Sequence, residues 1–330
     1  MIFMDKMPKF LRNPIPVILT GLLLLLPACD RMNRYERSGF AFDTIVNITV
    51  YSSDKTLADR ALSDAFALSE HYDKLLSISD PESEIYRLNH ADGNAVTVSA
   101  DTYSLLEKAI GYAEMSGGLL DVTIQPLYAL WDFTGEDHDS LPDEDAIASA
   151  REKVDYRNIR LLGENRVQLS GGAMINLGAI AKGYIADRIK EQLLADGITS
   201  ALINLGGNVV TIGQKEGGTP FAIGLATPFD PSGKIIDSVS VSDRSVVTSG
   251  IYQRYFEYDG RIYHHIIDPV TGYPADNDLN AATVIASSST DADAYSTICM
   301  LLGKEKAKAF IAGIPDTEVV LIDRNNRVFK

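Results

Sequence analysis

The chain has 330 residues, 45% of them hydrophobic, with 30 Lys and Arg against 45 Asp and Glu for a formal net charge of −15 at pH 7. That length and apolar content can bury a sizeable core, while so acidic a body without a basic cluster argues against nucleic acid and against gripping anionic lipid through the protein surface. Only two cysteines are present, too few for a disulfide scaffold or for a zinc or iron–sulfur centre built from cysteine.

The chain opens with Lys6, Lys9 and Arg12 ahead of an apolar run over residues 15–26 that is short for a permanent transmembrane helix. The run ends in Leu26-Pro27-Ala28-Cys29, which resembles a bacterial lipobox, where the cysteine is lipidated and becomes the new N-terminus. An ordinary cleavage site and an uncleaved anchor are the alternatives. The expected organisation is a lipoprotein signal peptide over residues 1–28, then lipidated Cys29 with a polar, Arg-rich tether over 29–38, then one domain over 39–330. Loss of residues 1–28 takes Lys6, Lys9, Arg12 and Asp5 from the 30 basic and 45 acidic residues, leaving 27 against 44 and a net charge of −17. The mature protein is expected outside the cytoplasmic membrane, on its periplasmic side or at the outer face of the cell, touching it through the lipid alone. Cys299, within Ile298-Cys299-Met300-Leu301-Leu302, reads as a small buried hydrophobe.

Residues 45–51 are β-branched and partly alternating, as in a strand, and residues 58–76 carry Ala61, Ala65, Leu68 and Tyr72 on one helical stripe with Leu57. Asp80-Pro81-Glu82-Ser83 is a turn before a short helix over 84–89, and a helix over 97–116 is capped by Ser99 or Asp101 and ended by Gly117-Gly118. That di-glycine precedes Leu119-Leu120-Asp121; it suits close backbone approach to a ligand with Asp121 accepting hydrogen bonds, and equally a helix end with a surface acid. Residues 133–145 read as an exposed acidic loop, 144–153 as a helix, and 159–162 with 166–169 as a hairpin across Gly163-Glu164-Asn165.

Next, Asn176-Leu177-Gly178-Ala179-Ile180-Ala181-Lys182-Gly183-Tyr184 passes from strand through a glycine-bearing turn into a helix. Such a junction offers backbone N–H groups and carbonyls that hold a phosphate or a metal, with Lys182 adding positive charge, and it also fits a plain strand-to-helix connection. Strands over 201–205 and 209–212 flank Gly206-Gly207-Asn208, and more strands follow at 221–225, 238–242 and 245–248. A hairpin over 254–267 turns at Asp259-Gly260; alternation puts His265 on one face with Tyr263 and Ile267, and His264 on the other. Both histidines are compatible with structural or surface roles. A strand over 281–287 leads to a helix on which Asp293 and Thr297 share a face, a pairing of hard oxygens that suits magnesium, or simply acids favoured by a helix N-terminus. Prominent hairpins argue for an α+β fold with largely antiparallel strands, and the absence of Gly-x-Gly-x-x-Gly disfavours a Rossmann site.

Five stretches taken together, Gly-Gly-Leu-Leu-Asp-Val-Thr at 117–123, Asn-Leu-Gly-Ala-Ile-Ala-Lys-Gly-Tyr at 176–184, Gly-Gly-Asn at 206–208, His-Ile-Ile-Asp-Pro-Val-Thr-Gly at 265–272 and Asp-Ala-Tyr-Ser-Thr at 293–297, resemble the ordered motifs of the ApbE-type FAD:protein FMN transferases. The resemblance implies a single large ApbE-like, T-fold-related domain. It implies a magnesium-dependent enzyme that cleaves FAD and attaches FMN to a threonine of a target flavoprotein, one of a membrane electron-transfer complex, releasing AMP. By that likeness the Ala179 carbonyl, Asp293 and Thr297 would hold Mg²⁺ with Ser296 close by. Phe42, Ser79, Leu119, Leu120, Asp121, Asn176, Lys182 and Ile267 would contact the flavin nucleotide, and His265, titrating near neutral pH, would take the threonine proton. The family often has Asp at position 176, Met at 42 and, in some members, an aromatic residue at 79. Ser79 would admit water, so hydrolysis of FAD to FMN and AMP is the leading alternative, and a non-catalytic FAD-binding lipoprotein a further one.

Overall fold

The computed structural model describes residues 32–133 and 140–330, so the expected signal peptide and Cys29 lie outside the described residues. Met32–Lys330 forms one unit. Residues 33–38, read from composition as tether, belong to β1 (Asn33–Ala41), which pairs antiparallel with β2 (Thr44–Ser52) over its whole length. An edge strand tolerates polar residues on its free side, so composition hid it.

α1 (Lys55–Leu75) is capped by Asp54 and buries Ala58, Ala61, Leu62, Ala65 and Tyr72. α2 (Glu84–Asn89) has the expected bounds, and β3 (Val96–Thr97) precedes α3 (Ala100–Met115), whose cap is Ser99. α4 (Gln125–Trp131) starts on Pro126 in its first turn, and α5 (Glu144–Arg151) follows. The hairpin of β4 (Ile159–Leu161) and β5 (Arg166–Leu169) leads to α6 (Ala181–Ala195), then to β6 (Ala201–Leu205) and β7 (Asn208–Ile212). β8 (Phe221–Ala226) and β9 (Ile235–Val241) pair with each other, β10 (Ser245–Gly250) returns to the main sheet, and β11 (Tyr255–Tyr258) and β12 (Arg261–His264) form the hairpin expected across Asp259-Gly260. β13 (Leu279–Ala286), α7 (Ser289–Leu302), α8 (Lys304–Ala312), β14 (Glu318–Asp323) and β15 (Val328–Phe329) complete the chain.

Eight strands form one sheet in the order β1-β2-β6-β7-β10-β13-β14-β15, every neighbouring pair antiparallel, as the hairpin signals required. Alternation along β2 sends Val46, Ile48 and Val50 into the main core, where α1, α6 and α7 cover one face of the sheet. The β8–β9 hairpin covers part of the other face, with Phe221, Ile223 and Leu225 against Val209, Val246 and Ile285. A third cluster gathers Leu127 and Trp131 of α4 with Phe256, Tyr263 and Ile267. Phe133, expected in an exposed loop, is buried there, its ring 6.3 Å from that of Trp131; residues 134–139 of that loop lie outside the described residues. Among the described residues no helix is long and apolar enough to cross a membrane.

Candidate functional site

The site is organised where α6 crosses α7. Gly183 sits inside α6, where glycine costs about 1 kcal/mol against alanine and so needs a reason. A Cβ there would lie 2.3 Å from the Ser289 carbonyl oxygen and 2.8 Å from Cβ of Asp293, so only glycine permits the approach. The contact is clamped by Asp187, one turn further along α6. Its carboxylate accepts from Ser289 N (2.8 Å), Thr290 N (2.9 Å), Thr290 Oγ1 (2.7 Å) and Ser288 Oγ (3.0 Å), satisfying the open N–H groups at the start of α7.

Gly183 N, one of the open N–H groups in the first turn of α6, donates to Asp293 Oδ2 (2.9 Å), and the Ala179 carbonyl, one residue before the Ile180 cap, stands free of the helix's hydrogen-bond ladder. Asp293 is buried, and burial pushes its carboxyl above the usual range, opposed by Lys182, the Gly183 N–H and the Asn208 amide. A buried carboxylate short of compensating charge, a free carbonyl and the Thr297 hydroxyl one turn beyond Asp293 are hard oxygens of the kind magnesium takes, so the donor set fits that ion. Among the described residues no three His, Cys, Asp or Glu side chains gather into a metal cluster, so such a site would draw on backbone and hydroxyl oxygen.

These atoms face a cavity of about 770 Å³, within the size range of ligand sites. The structure brings Phe42, Ser79, Leu119, Leu120, Asp121, Asn176, Ala179, Lys182, His265, Ile267, Asp293 and Thr297 to its wall. Ser296 is the exception. On a helix it lies on the opposite flank of Asp293 from Thr297, and its hydroxyl is fully buried between the Asp293 carbonyl (2.9 Å) and Ser249 Oγ (2.7 Å), away from the cavity. Ser249 also approaches Thr297 Oγ1 at 3.3 Å, so Ser296 steadies the shell and Ser249 borders it.

Asp121 and His265 both stand in surroundings that spacing did not reveal. Asp121 lines the cavity, but Oδ1 accepts from Thr123 N (2.8 Å) and Thr123 Oγ1 (2.6 Å), and Oδ2 from Tyr156 N (2.8 Å). Its oxygens therefore shape the loop after α3 before they meet any ligand. His265 does not titrate near neutrality in the free protein. Burial drives it down to about 3; the Arg254 carbonyl opposes this, while His264, Lys182 and the Arg254 side chain add to it. The ring is oriented all the same: Nδ1 lies 3.1 Å from the Arg254 carbonyl oxygen, which can only accept, so Nδ1 carries the hydrogen and Nε2 keeps its lone pair. His264 faces away, as alternation required, with Nε2 3.0 Å from the Ala275 oxygen.

Asn176 is partly occupied too, its Oδ1 accepting from Gly178 N (2.9 Å) and its Nδ2 donating to Gln125 Oε1 (2.8 Å), which sets the turn before α6. No side chain caps that helix, and Lys182 Nζ reaches the Gly178 carbonyl at 3.4 Å, so positive charge gathers at its start. Sequence reasoning missed Arg254, which lines the cavity and pairs with Asp43 of the β1–β2 turn at 3.6 Å, and Asp187, whose partners lie a hundred residues away. Asn208 was visible only as part of a turn, while Tyr128 and Ser249 carried no local signal.

The ApbE family profile matches residues 42–321. A relative from Treponema pallidum (strain Nichols) named FAD:protein FMN transferase is 38% identical over 315 residues, 90% of this chain and 87% of that one. A second of the same name, from Klebsiella pneumoniae (strain 342), is 37% identical over 89% of this chain and 90% of its own. Among solved structures, the ApbE protein of Thermotoga maritima superposes with a TM-score of 0.83 at 32% identity, covering 90% of this chain and 97% of that one, and the flavin transferase ApbE of Vibrio cholerae with 0.80 at 27%, covering 91% and 96%. With its fold, its ordered motifs and these matches spanning nearly all of the described residues, the chain belongs to the ApbE family.

Proposed function

We propose that this protein is an FAD:protein FMN transferase that takes FAD into the α6–α7 cavity and moves its FMN half onto a threonine hydroxyl of a target flavoprotein, releasing AMP. The observation that carries this reading is the convergence on one cavity wall of a buried carboxylate, a hydroxyl, a free carbonyl, a lysine and an oriented imidazole. Magnesium held by the Ala179 carbonyl, Asp293 and Thr297 would supply neutralisation of the charge that develops on the diphosphate. Lys182 and the start of α6 bind and orient the same phosphates. Phe42, Leu119, Leu120 and Ile267 enclose the flavin nucleotide and exclude water, while Asn176 and Asp121 hold the turns that bear on it.

Nε2 of His265 takes the proton from the threonine as its oxygen bonds to the FMN phosphorus. The bond from that phosphorus to the bridging oxygen breaks, and AMP leaves with the electron pair. In the free protein His265 is held down chiefly by burial, with His264, Lys182 and Arg254 adding to it. The acceptor is proposed to be a subunit of a membrane electron-transfer complex, reached from a lipid anchor on Cys29 at the extracytoplasmic face.

The test is incubation with FAD, Mg²⁺ and a threonine-bearing acceptor domain, following AMP release and acceptor mass together. Transfer predicts both in equal amounts, and Asp293→Ala abolishes both. AMP without a change in acceptor mass would favour the pyrophosphatase reading, which the exposed Ser79 at the cavity wall supports. FAD binding with no turnover in either protein would leave a flavin-binding lipoprotein.

A further inference from the structure

The outer edge of the main sheet is guarded along most of β1 by exposed, charged Arg34, Glu36 and Arg37, with Arg34 and Glu36 paired to each other. The pattern breaks at the cavity end. Phe40 is 72% exposed and Ile45 61%, and the two stand directly opposite each other across β1 and β2. They share the face that carries Tyr51; the β8–β9 hairpin covers Tyr51 through Phe221, ring centroids 6.0 Å apart, and leaves the Phe40 end bare.

This apolar pair is held rigidly against the site. The two-residue turn beyond it puts Phe42 at φ 54° and Asp43 at φ 55°, a left-handed conformation that a bulky aromatic rarely adopts and that surrounding contacts must enforce. Asp73 Oδ1 accepts from Phe42 N at 3.0 Å, Asp43 pairs with Arg254, and Phe42, Asp43 and Thr44 all line the cavity. Phe40 and Ile45 therefore keep a fixed position relative to the mouth.

We propose that Phe40 and Ile45 form an apolar anchor that docks the flavin-accepting protein, an inference that rests on the transferase reading. A threonine in a folded acceptor reaches the FMN phosphorus only if the surface around it lies against this rim, and the patch is continuous with the turn that forms the rim. Two side chains do not make a whole interface; they make the kind of desolvated apolar anchor on which binding energy concentrates.

The test compares full-length wild type with a Phe40→Thr, Ile45→Thr variant, whose β-branched replacements suit an exposed strand. Both are assayed in detergent without lipid, using FAD, Mg²⁺ and a soluble threonine-bearing domain of a flavinylated membrane redox subunit. The expected result is an acceptor KM raised by about tenfold, the effect of removing an interface anchor, with FAD affinity and acceptor-free AMP release unchanged. A Phe40→Tyr, Ile45→Val variant retains the apolar surface and a wild-type KM. A wild-type acceptor KM in the threonine variant overturns the proposal, and so does a defect seen only with vesicle-embedded acceptor, which assigns the patch to the membrane. A wild-type dimer that the variant loses assigns it to a second copy and likewise overturns it. Wild type that transfers no FMN at all removes the transferase reading first and the docking surface with it.

Discussion

Gly183→Ala tests the helix crossing on which the site depends. The new methyl carbon would stand 2.3 Å from the Ser289 oxygen, 2.7 Å from its carbonyl carbon and 2.8 Å from Cβ of Asp293. Carbon atoms pack at about 3.5–4.0 Å, so α6 and α7 must part by about 1 Å. The atoms in the way are backbone and the root of a side chain, and the four-bond clamp from Asp187 holds them, so no rotamer change relieves the overlap. Overpacking of this kind costs about 1–3 kcal/mol, and a misplacement near 1 Å at Asp293 costs turnover about 100-fold. The assay is urea unfolding together with FAD turnover across a Mg²⁺ titration. Gly111→Ala in α3 is the control: nothing lies within 4 Å of a Cβ there, so it stabilises by about 0.5–1 kcal/mol and leaves turnover untouched. Wild-type stability and Mg²⁺ dependence in Gly183→Ala would refute the reasoning.

Asp187→Ala leaves the buried donors of Ser289 and Thr290 without their acceptor and destabilises by about 1–3 kcal/mol in urea melts, and Mg²⁺ affinity measured calorimetrically falls with it; Asp187→Asn, which keeps one acceptor, recovers part of both. His264 is held down to about 4 by burial against an ordinary 6.5, so as pH falls the unfolded chain takes the proton first. Stability is therefore lost as pH drops from about 6.5 towards about 4, His264 contributing about 2 kcal/mol of that loss between about pH 7 and pH 5 and buried His265 adding its own share, and His264→Asn makes the slope shallower by the His264 share in urea melts at the two pH values. Ser79→Tyr lowers acceptor-free AMP release relative to transfer; an unchanged ratio by chromatography would show that water does not enter past Ser79.

Where local pattern and tertiary structure agree, the fold was legible. The stripe of Ala61, Ala65 and Tyr72 is buried as helical spacing implied, Ser99 caps its helix, and the glycine turns close their hairpins. His264 and His265 face different surroundings, as alternation implied, although β12 ends at His264 and His265 already lies in the bend beyond it. Other features depend on partners remote in the chain. Residues 33–38 look like a tether until β2 supplies the ladder, and Asp121 looks free until the Thr123 and Tyr156 amides consume its oxygens. Helical spacing placed Asp293 and Thr297 together and Ser296 on the other flank, but it could not show that Ser249 engages the Ser296 hydroxyl there. The depression of His265 arises from burial that no spacing reveals. Asp187 carried no signal of its own in the sequence, because its role as a clamp exists only once α7 lies across it.

In the proposed transferase, oxygens from the start of α6 and from α7 would hold one divalent cation beside the diphosphate of FAD. The most direct measurement is an anomalous difference map from crystals grown with FAD and Mn²⁺ in place of Mg²⁺. The expected result is a peak within coordination distance, about 2.1–2.3 Å, of the Ala179 carbonyl, an Asp293 oxygen and Thr297 Oγ1, with the diphosphate beside it and the flavin between Phe42 and Leu119. A peak away from these three oxygens, or flavin bound outside this cavity, would contradict it.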